Sequence, residues 1–200
     1  AASLELARLL HNTGNFKDAL PRLEQFAREF DHDEHLAEVL YLAADCAMRL
    51  AGQLEGNAAT DAAATRKNHL AHAAELYDRV AALYRTTPPT KPADQQNFKI
   101  ALLRRADCAY ELGDYAKAVN MYEQAAKEAG DDVPQALAAN VQIANAYFAM
   151  GKPADARSAT ERAKQVLNKL PAGAKDDGSI PMPAAYMQQW LKWSASAATW

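Results

Sequence analysis

The sequence predicts an all-α protein built from antiparallel helix pairs stacked in a row, about four hairpins followed by a terminal helix. Apolar residues recur at three- and four-residue spacing through most of the chain, which is the mark of amphipathic helices. One hairpin pattern, clearest over residues 101–126 (ALLRRADCAYELGDYAKAVNMYEQAA), returns in two other places and more weakly in a third. Hydrophobic residues make up 50% of the chain, but a large share of them are Ala, which favours helix while burying little area. Stability must therefore come from many stacked helices and not from one thick core.

The hairpin at 101–126 sets the reference. Leu102, Leu103, Ala106, Ala109 and Tyr110 mark one helix face, and Ala118, Met121, Tyr122 and Ala125 mark another after a break. Gly113 stands at the break, where a helix end favours a residue able to take positive φ, and Asp114 follows as an N-cap for the second helix. Ala106 and Ala118 are small at the positions where two such helices cross most closely. A larger side chain there would overpack the contact by about 1 to 3 kcal/mol.

The remaining elements follow in order. Residues 1–12 form a helical pattern through Leu4, Leu6, Leu9 and Leu10. A turn at Gly14-Asn15-Phe16 leads to a second helix through Leu20, Leu23, Phe26 and Phe30. Pro21 predicts a bend or a late start there, because proline removes a helical hydrogen bond and crowds the preceding turn. Residues 31–50 form the next helix, with Asp31 and Asp33 as candidate caps. Its Ala44-Asp45-Cys46-Ala47 repeats Ala106-Asp107-Cys108-Ala109 residue for residue. Gly52 to Asn57 opens a loop in place of a tight turn, and a long helix follows from about 61 to 85. Thr86 to Pro92 (TTPPTKP) is a linker. Residues 93–112 and 115–129 are the reference hairpin. Asp132 and Pro134 start a helix running to Met150, Gly151 breaks it, and residues 153–170 complete the last pair. The expected organisation is an array over 1–170 with units of about 1–30, 31–86, 93–130 and 133–170. A linker loop follows at 171–183 and a C-terminal helix at 184–200, with Tyr186, Trp190 and Trp193 along one face.

A net charge of −3 argues against nucleic acid, whose phosphates are met by a basic field. No apolar run reaches the length of a membrane span, so no membrane insertion is expected, and no charged-then-apolar signal segment begins the chain. Ala1 is not Met and already lies in a helical pattern, which predicts a processed product or an excised portion of a longer protein. Cys46 and Cys108 occupy the same small, inward position of two first helices, too far apart for a disulfide, and are expected to be buried free thiols. His32 with His35, and His69 with His72, could each present two nitrogens on one helix face, as metal ligands do, though a solvated helix start also explains DHDEH. The eight glycines fall in turns or loops, and no nucleophile elbow, phosphate-binding loop or metalloprotease helix is present. No catalytic residue, metal or cofactor is expected, and the chain reads as a non-enzyme.

The hairpins resemble the tetratricopeptide repeat family, whose period is about 34 residues, with small residues at the eighth and twentieth positions and aromatics nearby. Here position eight falls on Ala7, Ala44, Ala106 and Ala144, and position twenty on Ala19, Ala73, Ala118 and Ala156. Tyr77, Tyr122 and Tyr147 sit where the family often has aromatics. The chain departs from the pattern at the expanded second unit, at Pro153 in place of an aromatic, and at Arg105 where an apolar residue is common. Ala44 and Ala106 stand 62 residues apart, so the second unit has grown. The LYLAADCAMRLAG segment after FAREF is also similar to bacterial cell-envelope members of the outer-membrane assembly and cell-division-coordination kind.

The resemblance implies a right-handed superhelix whose first helices line a concave groove that holds a protein or peptide. Groove positions carried over are Arg8, His11 and Asn12; Glu38, Tyr41, Asp45, Met48 and Arg49; Leu103, Asp107, Tyr110 and Glu111; and Val141, Asn145 and Phe148. Asp45 and Asp107 stand where a carboxylate clamp would need Asn, so a C-terminal carboxylate ligand is not implied. Apolar anchors beside acids suit an extended or helical segment with some basic character, while the aromatics would equally serve to pack one unit on the next. The expected role is a non-catalytic protein-interaction scaffold. The alternative is a structural segment of a larger solenoid or a self-associating module, for which Tyr186, Trp190 and Trp193 would be either a cap or an interface.

Overall fold

The computed structural model describes residues 2–57, 59 and 61–169. Among them the regular elements are all α-helical: α1 (Ala2–Asn12), α2 (Phe16–Glu29), α3 (Leu36–Gln53), α4 (Ala62–Thr86), α5 (Pro92–Glu111), α6 (Tyr115–Ala129), α7 (Val133–Ala149) and α8 (Pro153–Leu167). The chain divides into two compact units, Ala1–Gly113 and Asp114–Trp200. The expected linker at 171–183 and helix at 184–200, with Tyr186, Trp190 and Trp193, lie outside the described residues, as does the end of the fourth hairpin at 170.

The breaks between helices follow from backbone chemistry. Gly113 and Gly151 close α5 and α7 with φ of 81° and 68°, values that a side chain with a Cβ adopts only at a cost. The Asp114 carboxylate accepts from the Lys117 N–H at 3.2 Å to start α6, and Asp132 accepts from the Gln135 N–H at 3.2 Å to start α7. Pro92 and Pro153 open α5 and α8, where the missing N–H costs nothing, so the proline at 153 is a helix starter in the place of the usual aromatic.

Two expectations are corrected and one is narrowed. Neither Asp31 nor Asp33 caps α3. The Asp33 carboxylate instead accepts from the His35 N–H at 2.8 Å, closing a turn that delays the helix to Leu36. Gly52 does not open the loop either: α3 continues through Gln53, and Gly52 is helical. Pro21 sits inside α2, which already starts at Phe16, so the late-start option does not hold.

In the first unit α3 is the central element, packed against α1, α2, α4 and α5, with α4 also packed on α5 and α1 on α2. Helices α1, α3 and α5 form one layer, and α2 and α4 form the other. Their shared core joins Leu23, Val39, Leu40, Ala43, Leu76, Tyr77 and Val80, all with 4% exposure or less. The second unit holds α7 between α6 and α8. That position explains why α7 is apolar nearly all round, burying Leu137, Val141, Ile143 and Ala146. The eight small positions behave alike in both units. Ala7, Ala19, Ala44, Ala73, Ala106, Ala118 and Ala144 have no exposed surface, and Ala156 has 4%.

Candidate functional site

Three first helices of the first unit lie in one layer, and the polar side chains on that layer are tied to each other. Arg8 on α1 grips Glu38 on α3 with two parallel bonds, Nε to Oε1 at 2.9 Å and a terminal nitrogen to Oε2 at 2.7 Å. This fork matches guanidinium to carboxylate and fixes the register of the two helices. One turn further along, His11 Nε2 meets Asp45 Oδ2 at 2.9 Å, and Arg49 reaches the same carboxylate at 3.4 Å. Phe16 backs both, with the His11 ring edge-on at 5.8 Å and the Arg49 guanidinium 5.9 Å from its centroid. On α5, Arg104 bonds Asp107 at 3.1 Å, and Glu111 bonds Arg66 of α4 at 2.6 Å. The Asp45 carboxylate, across on α3, helps to hold the Arg104 guanidinium protonated against its burial.

The titration of the row follows from this packing. The hydrogen bond to Asp45 raises the His11 pKa above its ordinary 6.5, against burial and the Arg49 charge, which lower it. Burial alone would raise Asp45. The bond from His11 and the charge of Arg49 outweigh it, and Asp45 is held below its usual 3.8. Burial raises the Tyr41 phenol. Cys46 and Cys108 are buried free thiols, each pushed up to about 12 by desolvation, so neither supplies a thiolate nucleophile at neutral pH.

The apolar groove candidates are only partly available. Tyr41, Met48, Leu103 and Tyr110 are half-buried. The Tyr41 ring stands edge-on to Tyr77 at 6.1 Å, and Met48 packs against the core. In the second unit, Asn145 donates to Gln142 Oε1 at 2.8 Å, and Phe148 is 49% exposed. Val141, carried over as a groove position, is 1% exposed. It packs inside the unit because α7 is covered on two sides.

The histidines show no metal geometry. Among the described residues no group of three or more His, Cys, Asp or Glu is arranged to hold an ion. His72 reaches across to Glu24 on α2, His35 lies 3.6 Å from Glu38, and the His32 side chain is 95% exposed. Burial lowers the His69 pKa, helped by its neighbour His72.

Besides the Arg8–Glu38 and His11–Asp45 bonds, sequence reasoning missed three further ties that cross between helices. Arg105 is 6% exposed and bonds Asp78 of α4 at 2.8 Å, Arg66 bonds Glu111, and His72 bonds Glu24. Arg105 alone carried a signal, as a charged residue at a position that is commonly apolar. At the floor of the row, Tyr77 Oη is buried with no hydrogen-bond partner. Elsewhere in this unit a cleft of ≈ 450 Å³ opens between the 31–37 segment and the 83–94 segment, lined by Asp31, Glu34, Leu36, Leu83, Pro89 and Asp94 among others.

Comparisons with known proteins place this geometry. Residues 100–132 match the family described as Tetratricopeptide repeat. No curated protein matches the sequence. Two crystal structures of nearly identical TPR-like repeats from Podosopora anserina are similar in fold. The first, of a substituted form, has a TM-score of 0.63 at 18% identity and covers 99% of this chain and 85% of that one. The second has a TM-score of 0.62 at 18% identity and covers 99% and 86%. The chain therefore has a TPR-like helical-repeat fold. Among the described residues no helix is long and apolar enough to cross a membrane.

Proposed function

We propose that the chain is a non-catalytic scaffold that holds a protein or peptide segment on the layer of first helices. The observation that supports this is the α1–α3–α5 row, where a rigid, internally bonded polar lattice surrounds half-buried Tyr41, Met48, Leu103 and Tyr110. Because Arg8, Asp45, Asp107 and Glu111 are already paired within the chain, they fix the shape of the face more than they supply charge to a ligand. Recognition on this reading falls to the apolar groups, with Asn145 and Phe148 as a separate contact patch on the second unit. A partner that contributes apolar anchors fits better than one that relies on ion pairs.

The test is quantitative pull-down with the intact chain beside Leu103→Glu and Tyr110→Ala. A loss of about tenfold in recovered partner, with unchanged melting, is the expected result for an anchor in a desolvated contact. Equal recovery by all three chains refutes binding through this face. The alternative, a structural or self-associating module, draws support from Leu6 and Leu9 on α1, which are 42% and 59% exposed. Light scattering distinguishes it, since a concentration-dependent oligomer that becomes monomeric with Leu6→Glu and Leu9→Glu favours the module. The finer likeness to bacterial cell-envelope proteins belongs to the same proposal and would be tested by fractionating cells.

A further inference from the structure

We propose that the α1–α2 hairpin is held on α3–α4 by two histidine–carboxylate straps, one in each helix layer, and that the His11–Asp45 strap makes its docking loosen as pH rises through neutrality. The two contacts are independent in sequence and lie on different layers. His11 of α1 bonds Asp45 of α3 at 2.9 Å, and His72 of α4 bonds Glu24 of α2. The His11 and Asp45 side chains are 18% and 16% exposed, and those of His72 and Glu24 are 38% and 25% exposed, so both bridges are partly withdrawn from solvent. A histidine–carboxylate contact is an ion pair only while the imidazole carries its second proton. In the His11–Asp45 strap, therefore, a titrating group joins one hairpin to the next.

The surrounding charges favour this behaviour. His11 faces Asp45 and Arg49 from α3, Asn12 on its own helix and the Phe16 ring of α2, and the carboxylate outweighs the opposing guanidinium. His72 faces Glu24 from α2, with Glu75 at 4.0 Å and His69 on its own helix. The third tie between the hairpins, Arg8 to Glu38, does not titrate in this range because guanidinium stays protonated. It keeps the hairpin attached while the His11 strap weakens, so the response is a graded loosening and not a release.

The sign follows from the pKa of His11, which docking raises. Its contribution is complete below the ordinary value of 6.5 and is lost as pH rises through the raised value. Asp45, held low, begins to lose its part only in acid, as pH falls through its lowered pKa. Docking is therefore tightest in mildly acidic solution and declines above neutrality. Arg8 and Asp45 also belong to the proposed binding face, so any effect on partner affinity rests on that reading, whereas the loosening itself does not.

Hydrogen exchange on the intact 200-residue chain, corrected for intrinsic exchange rates, tests it. From about pH 6 to about pH 8.5, protection of α1–α2 amides relative to those of α5 is expected to fall by about threefold. His11→Gln should remove that dependence, while His35→Gln should leave it. Proton NMR of the His11 ring in the unaltered chain supplies a readout that does not need a variant to fold. Titration above 6.5 supports the strap. Constant relative protection in the unaltered chain, an undiminished pH dependence in the His11→Gln variant, or a His11 titrating at or below 6.5 overturns it.

Discussion

Ala73 offers a direct test of the close helix packing on which the array depends. It has no exposed surface and lies in the core with Ala43, Ala44, Leu76 and Tyr77, where α3 and α4 pack together. Ala73→Leu adds three carbons to a contact with no free space. The cost comes from forcing side chains off their rotamers or pushing α4 away from α3. Ala82 lies on the same helix but is exposed, so Ala82→Leu carries the same propensity change without the crowding. Overpacking costs about 1 to 3 kcal/mol, and a chain of this size loses about 2 to 4 °C of Tm per kcal/mol, so a 2 kcal/mol penalty lowers Tm by roughly 4 to 8 °C. The exposed control should stay within about 0.5 kcal/mol of the unaltered chain. Thermal melts followed by circular dichroism measure both. If Ala73→Leu melts together with Ala82→Leu, the small residue is not required at that position.

Three further outcomes are expected. A double-mutant cycle of Arg8→Ala and Glu38→Ala, read by urea unfolding, should give a favourable coupling of about 1 kcal/mol, because the pair is bidentate yet about a quarter to a third exposed; additive single effects would refute the register role. Gly113→Ala should cost about 1 kcal/mol from its φ of 81° alone, since nothing lies within 4 Å of the added Cβ, and a melt as high as the parent's would show that the turn tolerates a side chain. Cys46 and Cys108 should react with a thiol reagent at pH 8 at least about a hundredfold more slowly in the native chain than in denaturant, because burial holds both thiols protonated; comparable rates would mean that the thiols are open to solvent.

The repeat was legible in the sequence because its signals are local. The eight small residues, Gly113 and Gly151 at the breaks, and the Asp114 and Asp132 caps each act within a few residues of their own position, and each sits in the structure where its chemistry requires. The binding face was legible only in part. Spacing put Arg8, Asp45 and Asp107 on first helices, but it could not show that their charges are used within the protein, since that depends on how one helix is rotated against the next. The same limit hid His72 with Glu24 and Arg105 with Asp78. Val141 was misplaced for a related reason: its position in the repeat is that of a groove residue, but α7 is flanked by α6 and α8, and burial wins. The delayed start of α3 reflects competition between two uses of one aspartate, as a helix cap or as the closure of its own turn.

Helix α4 has 25 residues against the 18 of α3, about 37 Å against about 27 Å, and its extra two turns carry Arg66 to the far end of α5. That length couples reach to angular phase. Removing one residue between Arg66 and the core-facing Leu70 would turn Arg66 by about 100° about the axis, away from Glu111. Removing seven from α4 on the C-terminal side of Arg66 would bring the direction back to within about 20° but leave the guanidinium about 10 Å short. No short deletion restores both. The added turns work as a vernier, and the length of this one helix is fixed by two conditions at once, which makes it far less free to drift than a surface loop of the same size.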